Sequence, residues 1–303
     1  MTTIRFLAPL IVAALLVANG TRVYGKEIGG DSDPVGGARP ARLVLPPGYD
    51  PTKTYGLVVL LHGYGVNGVI QDLYLGFSAA AGREGFLVAT PDGLLNPDNK
   101  RYWNATDACC DFYGSGVDDV SYIRDLIREI QDRYPVDKNR TYLFGHSNGA
   151  FLAHRIACEE SILVAGIGAL AGAMWNDATK CAPTDPVAVL TIHGTADETI
   201  SYSGGVIGQR RPIAAVPYPS ALDTIATWAS RNRCGAGPER GMTADLESSL
   251  PGNETTASGY PECMAGGAAE LWTLTDGTHI PHFNAQFLPA VFAFWAKHPR
   301  GGF

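Results

Sequence analysis

Residues 145–149 read Gly145-His-Ser-Asn-Gly149. They follow the apolar run Thr141-Tyr-Leu-Phe144 and precede an apolar-periodic stretch that reaches Cys158. This order predicts a strand, a G-x-S-x-G turn and a helix, the context in which that pattern becomes a nucleophile elbow. A sharp strand-to-helix turn lifts the hydroxyl of Ser147 clear of a sheet. Gly145 and Gly149 admit backbone where a Cβ would clash. The helix N-terminus beyond the turn favours developing negative charge. An ordinary glycine-rich turn would explain the glycines but gives no reason for the partners found downstream.

The rest of the chain alternates in the same way. Short apolar runs predict strands at residues 42–45, 57–61, 86–90, 164–170, 187–193 and 269–275. Helical spacing is read at residues 72–85, 118–134, 222–231 and 283–297. In the second of these, Val120, Ile123, Leu126, Ile127 and Ile130 share one side. Alternation of strands and helices implies a mostly parallel central sheet covered on both faces. Residues 235–267 are the least patterned and are expected to form a hairpin excursion at the sheet edge.

At 303 residues, with 46% hydrophobic and 17% charged, the chain can bury one large core and does not require a second domain. A net charge of −7, with no basic run longer than Arg210-Arg211, argues against nucleic-acid binding. Residues 1–25 read as a signal peptide. Arg5 precedes an apolar run at residues 6–18, too short to span a membrane, and small residues allow cleavage after Gly20 or Gly25. Residues 26–40 read as a flexible arm, and residues 41–303 as a single catalytic domain. A secreted monomer, extracellular or periplasmic and without a membrane segment after cleavage, is expected.

Export places the six cysteines in an oxidising compartment. Proximity favours Cys158–Cys181 and Cys234–Cys263. Cys109 and Cys110 then remain adjacent, as a vicinal disulfide or as two thiols. No C-x-x-C pair is present, which argues against zinc, and no metal or organic cofactor is expected.

Chain order assembles a site around Ser147. In hydrolases built on this pattern the acid follows the nucleophile and the histidine comes last. Val187-Ala-Val-Leu-Thr-Ile-His193 is the strand after the nucleophile helix, and Gly194-Thr-Ala-Asp197 is the loop leaving it. Asp197 is the acid, with Glu198 as the alternative. A turn-forming aspartate is the bland reading. Of the seven histidines, only His279, His282 and His298 come late enough. His279 lies in Asp276-Gly-Thr-His279, just past the last strand, where active sites of open α/β sheets gather. An oxyanion needs two backbone N–H donors. The sequence offers Asn148, after the nucleophile, and Tyr64, in Leu61-His-Gly-Tyr-Gly65. The Tyr64 ring is also expected to line the pocket. Trp103 reads equally as a pocket wall for the substrate or as a buried anchor of its loop. Asp118 and Asp119 open a helix and read as capping residues.

Taken together, residues 42–298 resemble the extracellular polyhydroxybutyrate-depolymerase-like esterases, related to the feruloyl and acetylxylan esterases of the first carbohydrate esterase family. The matching stretches are Leu61-His-Gly-Tyr-Gly65, Trp103-Asn-Ala105 with Cys109-Cys110, and Val117-Asp-Asp-Val120. They continue with Gly145-His-Ser-Asn-Gly149, His193-Gly-Thr-Ala-Asp197 and Gly277-Thr-His279. The resemblance implies an α/β-hydrolase fold and a secreted serine esterase acting on small or polymer-borne esters. Feruloyl or acetyl groups and hydroxyalkanoate oligomers or related polyesters are the candidates. One departure stands out: the tryptophan that usually follows the family's histidine is missing from His279-Ile-Pro-His282. Two other classes compete. A peptidase on the same fold would use the same three residues, and a non-catalytic binding protein would not need them.

Overall fold

The computed structural model describes residues 32–208 and 215–300. The expected signal peptide lies outside the described residues. Among the described residues, nine strands form one sheet in the order β1-β3-β2-β6-β7-β8-β11-β10-β9. They are β1 (Arg42–Val44), β2 (Tyr55–Leu61), β3 (Phe86–Thr90), β6 (Val136–His146), β7 (Gly166–Leu170), β8 (Ala188–Gly194), β9 (Glu239–Ala244), β10 (Thr255–Gly259) and β11 (Ala268–Leu274). The run from β3 to β11 is parallel. The edge strands β1, β10 and β9 pair antiparallel. A separate hairpin joins β4 (Leu94–Leu95) to β5 (Arg101–Tyr102).

The centre of the sheet is apolar on both faces, as a strand covered twice must be. In β2 every residue from Leu57 to Leu61 is fully buried. Side chains alternate along a strand, so Leu57, Val59 and Leu61 pack in one core while Val58 and Leu60 pack in the other. The first core is closed by α3 (Asp119–Arg133), α4 (Asn148–Glu159) and α5 (Ala221–Arg231). The second is closed by α2 (Phe77–Arg83) and α6 (Phe287–Lys297). No helix among the described residues is long and apolar enough to cross a membrane.

Four expectations need correction. The helix read at residues 72–85 is two helices, α1 (Gly68–Leu75) and α2, broken at Gly76 with φ +66°. The Asp72 carboxylate accepts from the Ser78 amide and caps the second helix across that break. The last helix begins at Phe287, four residues later than its apolar spacing suggested. The described part of the arm, residues 32–40, is fastened rather than free. Val35 is buried and bridges to Ala41. Arg39 pairs at 2.7 Å with Asp119 and lies over the Tyr122 ring. Asp118 caps α3 through the Ser121 amide, whereas Asp119 is a buried anchor that also accepts from the Asn104 amide. The excursion at residues 235–267 contains the hairpin pair β9 and β10 on the sheet edge.

Candidate active site

The C-terminal ends of β2, β6, β8 and β11 converge on one cleft, the place where parallel sheets expose loops and gather reactive groups. Ser147 sits between β6 and α4 with φ +54° and ψ −120°. A positive φ of this kind is strained for a residue with a Cβ. It is held by a hydrogen bond from the Ser147 amide to the Leu170 carbonyl, 2.8 Å. The flanking glycines are required by contact. A Cβ on Gly145 would lie 2.1 Å from the Gly149 carbonyl oxygen, and one on Gly149 would lie 2.2 Å from that of Leu61.

His279 Nε2 lies 3.0 Å from Ser147 Oγ, and His279 Nδ1 lies 2.8 Å from Asp197 Oδ2. The three sequence-predicted residues therefore meet in one hydrogen-bonded line. Asp197 is buried, while its alternative Glu198 is exposed. Its other oxygen, Oδ1, accepts from the Thr199 and Ile200 amides at 2.9 and 2.8 Å. Burial alone would raise its pKa, but hydrogen bonds from His193 and His279 and the charge of His279 outweigh burial and hold the carboxyl well below its ordinary range.

The loops bearing the acid and the histidine are zipped together. Ala196 donates to the Gly277 carbonyl and Thr195 to that of Leu274, both at 2.9 Å. Gly194 and Gly277 face each other so closely that a Cβ on Gly194 would lie 2.1 Å from the Gly277 oxygen. Three further contacts grip the His279 loop. His146 Nε2 meets the His279 carbonyl at 3.0 Å, Tyr74 Oη donates to that of Pro281 at 2.7 Å, and Glu247 Oε1 accepts from the His282 amide at 2.6 Å. Burial lowers the His146 pKa to about 4, so this ring is neutral at pH 7.

The cleft has a volume of about 300 Å³. Tyr64, Val66, Ile70, Tyr74 and Ile280 line it beside Ser147 and His279. Tyr64 is half-buried, its ring against Phe112 and its hydroxyl accepting from Asn96 Nδ2 at 2.6 Å. On either side of it, the Gly63 amide donates to Gln71 Oε1 and the Gly65 amide to the Arg101 carbonyl. Asn148 opens α4, where the first amides have no partner within the helix.

Trp103 is not a pocket wall. It is completely buried, and its indole Nε1 donates to the His62 carbonyl at 3.0 Å. Its ring packs between His62 and Tyr122, which makes it the anchor of its loop. The cysteines pair as Cys158–Cys181, Cys234–Cys263 and the vicinal Cys109–Cys110. His282 is exposed, and His298 lies at the end of α6.

Sequence reasoning missed His193, Gln71, Glu247, Tyr74 and the side-chain role of Asn148. His193 Nε2 donates to the Ile200 carbonyl at 2.8 Å and lies 3.4 Å from Asp197 Oδ2. Its only sequence signal was its place four residues before the acid.

With this geometry in view, comparison with known proteins is informative. A family model described as esterase PHB depolymerase matches residues 40–207. Feruloyl esterase B of Piromyces equi is 29% identical over 205 residues, covering 66% of this chain and 35% of that protein. Feruloyl esterase C of Emericella nidulans is 28% identical over 170 residues, covering 54% of this chain and 57% of that protein. The chain thus spans only part of the length of either relative. Among solved structures, an acetyl xylan esterase from Aspergillus awamori matches with a TM-score of 0.58 at 14% identity, covering 88% of this chain and 98% of that one. A CE1 ferulic acid esterase from Anaeromyces mucronatus matches with a TM-score of 0.52 at 17% identity, covering 92% and 93%. At such identities the likeness is one of fold, the α/β-hydrolase fold. The family model covers more than half of the sequence, and the chain belongs to the esterase PHB depolymerase family.

Proposed function

We propose that the chain is a secreted serine carboxylic-ester hydrolase acting through an acyl-enzyme on Ser147. The observation that carries this reading is the hydrogen-bonded line from Ser147 Oγ through His279 to Asp197, opening on a cleft. In the mechanism, His279 Nε2 takes the Ser147 proton as Oγ attacks the ester carbonyl. The same proton then passes to the leaving alcohol. Water repeats the cycle in reverse and releases the acid. Asp197 fixes the tautomer of His279 and stabilises the imidazolium. Its three donors, the Thr199 and Ile200 amides and His279 Nδ1, suit a carboxylate that stays ionised throughout.

The Asn148 and Tyr64 amides hold the tetrahedral oxyanion. Support for Tyr64 is that its two neighbouring amides are already engaged by Gln71 and Arg101. Removing one such donor costs about 3 kcal/mol of barrier. Three disulfides support secretion, since they persist in oxidising compartments. Feruloyl and acetyl esters on polysaccharide and hydroxyalkanoate oligomers are the substrates that the relatives' names and the family's description suggest.

The test is hydrolysis of nitrophenyl acetate, methyl ferulate, acetylated xylan, hydroxybutyrate trimer and a chromogenic peptide by wild type and Ser147→Ala. Ester turnover that falls by roughly a thousandfold or more in the variant is expected. A folded wild type inactive on every ester would overturn the reading. Turnover of the peptide alone would make the chain a peptidase.

A further inference from the structure

The helix beside the cleft has an unusual outer face. Among the described residues, Val66, Val69, Ile70 and Leu73 are exposed by 36%, 54%, 48% and 78%. Val69 and Ile70 stand four and three residues before Leu73, so the three share one side of α1. The one charged residue of α1, Asp72, is turned away. Its carboxylate caps Ser78 and pairs with Arg42. Across the cleft, Ile280 is 54% exposed directly after His279. Val66, Ile70 and Ile280 line the cleft beside Ser147. The apolar face is therefore continuous with the reactive hydroxyl, and any ester long enough to leave the cleft on this side must lie on it.

Resting on the ester-hydrolase reading, we infer that this face is an acyl-chain track, and that the enzyme takes esters of linear aliphatic acids of medium length. At 1.5 Å per residue α1 is about 12 Å long, comparable with an extended chain of about ten carbons. An acetyl group would stay within the cleft and leave Leu73 in water. An octanoyl or decanoyl chain would cover Ile70, Val69 and Leu73 in turn. Each methylene removed from water there is worth roughly fourfold in binding. The track carries no charge to repel the chain and no side chain that must first be stripped of a partner. Exposed aliphatic side chains scattered singly need no explanation, but a set contiguous with a nucleophile marks a binding surface.

The experiment measures kcat/KM for nitrophenyl acetate, butanoate, octanoate and dodecanoate, each below its critical micelle concentration. Wild type, Ile70→Ser, Leu73→Ser and the control Leu222→Ser are compared. Leu222 is an exposed leucine on α5, outside the cleft lining. The expected result is an octanoate-to-acetate ratio of at least tenfold in wild type and in Leu222→Ser. That ratio should fall about tenfold in Ile70→Ser and several-fold in Leu73→Ser. A flat wild-type profile, or one that the two track variants leave unchanged, overturns the proposal. So does a wild-type dimer on size exclusion that Leu73→Ser dissolves while the chain-length profile stays the same, because the face then belongs to a second copy. Acetate turnover that Ser147→Ala abolishes keeps the ester-hydrolase reading standing even when the profile is flat. The absence of any Ser147-dependent ester turnover removes both.

Discussion

Asn148 and Trp103 pair as two strand residues would. Asn148 Oδ1 accepts from the Trp103 amide at 2.7 Å, and Asn148 Nδ2 donates to the Trp103 carbonyl at 3.0 Å. Both groups are buried, so the side chain next to Ser147 closes the backbone of a distant loop. Asn148 Nδ2 also lies 3.6 Å from Cys109 Sγ, which brings the vicinal disulfide into the same cluster. One residue thus links the proposed oxyanion amide to the anchor of the 101–112 loop.

Truncating that side chain should cost much more than an average surface mutation. Asn148→Ala strands a buried N–H and a buried C=O, each worth about 1–3 kcal/mol when unsatisfied. We expect the urea midpoint to fall by the equivalent of about 3 kcal/mol. Asn148→Asp keeps the acceptor but sets a carboxylate oxygen against the Trp103 carbonyl, and should be no better. A loss under about 1 kcal/mol in Asn148→Ala would show that water replaces both bonds.

Stability should fall on mild acidification, because histidines are buried in neutral form. Burial lowers His62 and His146 to about 4 and His154 to about 3. Their folded values lie below the unfolded value of about 6.5, so unfolding takes up protons from about pH 6.5 down to about pH 4, and to about pH 3 for His154. The stabilisation is complete above the upper limit and is lost as pH falls through the window. Each histidine contributes a limiting slope of about 1.4 kcal/mol per pH unit. Asp197 and Glu247, both held below their ordinary range, add their loss as pH falls through and below the ordinary carboxylate range of about 4. His154 Nδ1 accepts from the Trp228 indole at 3.0 Å, a bond that glutamine can replace. Urea titrations between pH 7 and pH 4.5 should therefore show a shallower slope for His154→Gln than for wild type. Parallel slopes would mean that His154 is not the group taking up the proton.

The sequence made much of this legible, and the reason is local. The elbow is a contiguous signal, and the glycines at 145 and 149 are needed by contacts within and beside the same turn. Asp197 and His279 follow strands in a fixed order, so β8 and β11 could be read before their pairing was known. What escaped was tertiary. Glu247 belongs to the least patterned stretch of the chain, yet it holds the loop that carries His279. Nothing in its neighbours announces that contact. Gly76 was absorbed into one long helix because single glycines are tolerated inside helical patterns. Trp103 could not be settled from sequence, since large aromatics serve walls and anchors alike. Its complete burial decides for the anchor.

Gly194 and Gly277 set the spacing between the acid loop and the histidine loop. A methyl on Gly194 would lie 2.1 Å from the Gly277 carbonyl oxygen and 2.4 Å from its carbon. Both are backbone atoms, so no side chain can swing away, and β8 and β11 must part where Asp197 and His279 meet. We expect Gly194→Ala to lower kcat by roughly a hundredfold, the cost of an ångström of misplacement. The low-field proton resonance of the His279–Asp197 hydrogen bond should also vanish. Retained kcat with that resonance in place would show that the loops absorb the methyl elsewhere.

Glu247 offers the sharpest test of whether the edge hairpin serves the reaction. It is buried, and Oε1 accepts from the His282 amide while Oε2 accepts from that of Ser249 at 2.9 Å. Burial alone would raise its pKa, but hydrogen bonds from Ser249 and His282 outweigh that effect and keep it below its ordinary range. The carboxylate fixes the backbone three residues beyond His279, and Tyr74 fixes the residue before that one through the Pro281 carbonyl. Glu247→Ala removes the grip on the His282 amide and leaves only the Ser248 bonds to the His282 carbonyl, without touching the cleft lining, so kcat should fall about tenfold at nearly constant KM. Glu247→Gln keeps an oxygen acceptor for the His282 amide and should recover most of the rate. If alanine and glutamine lose kcat equally, the charge rather than the backbone grip is what matters. If neither loses it, His146, Tyr74 and Ser248 suffice to hold the histidine loop.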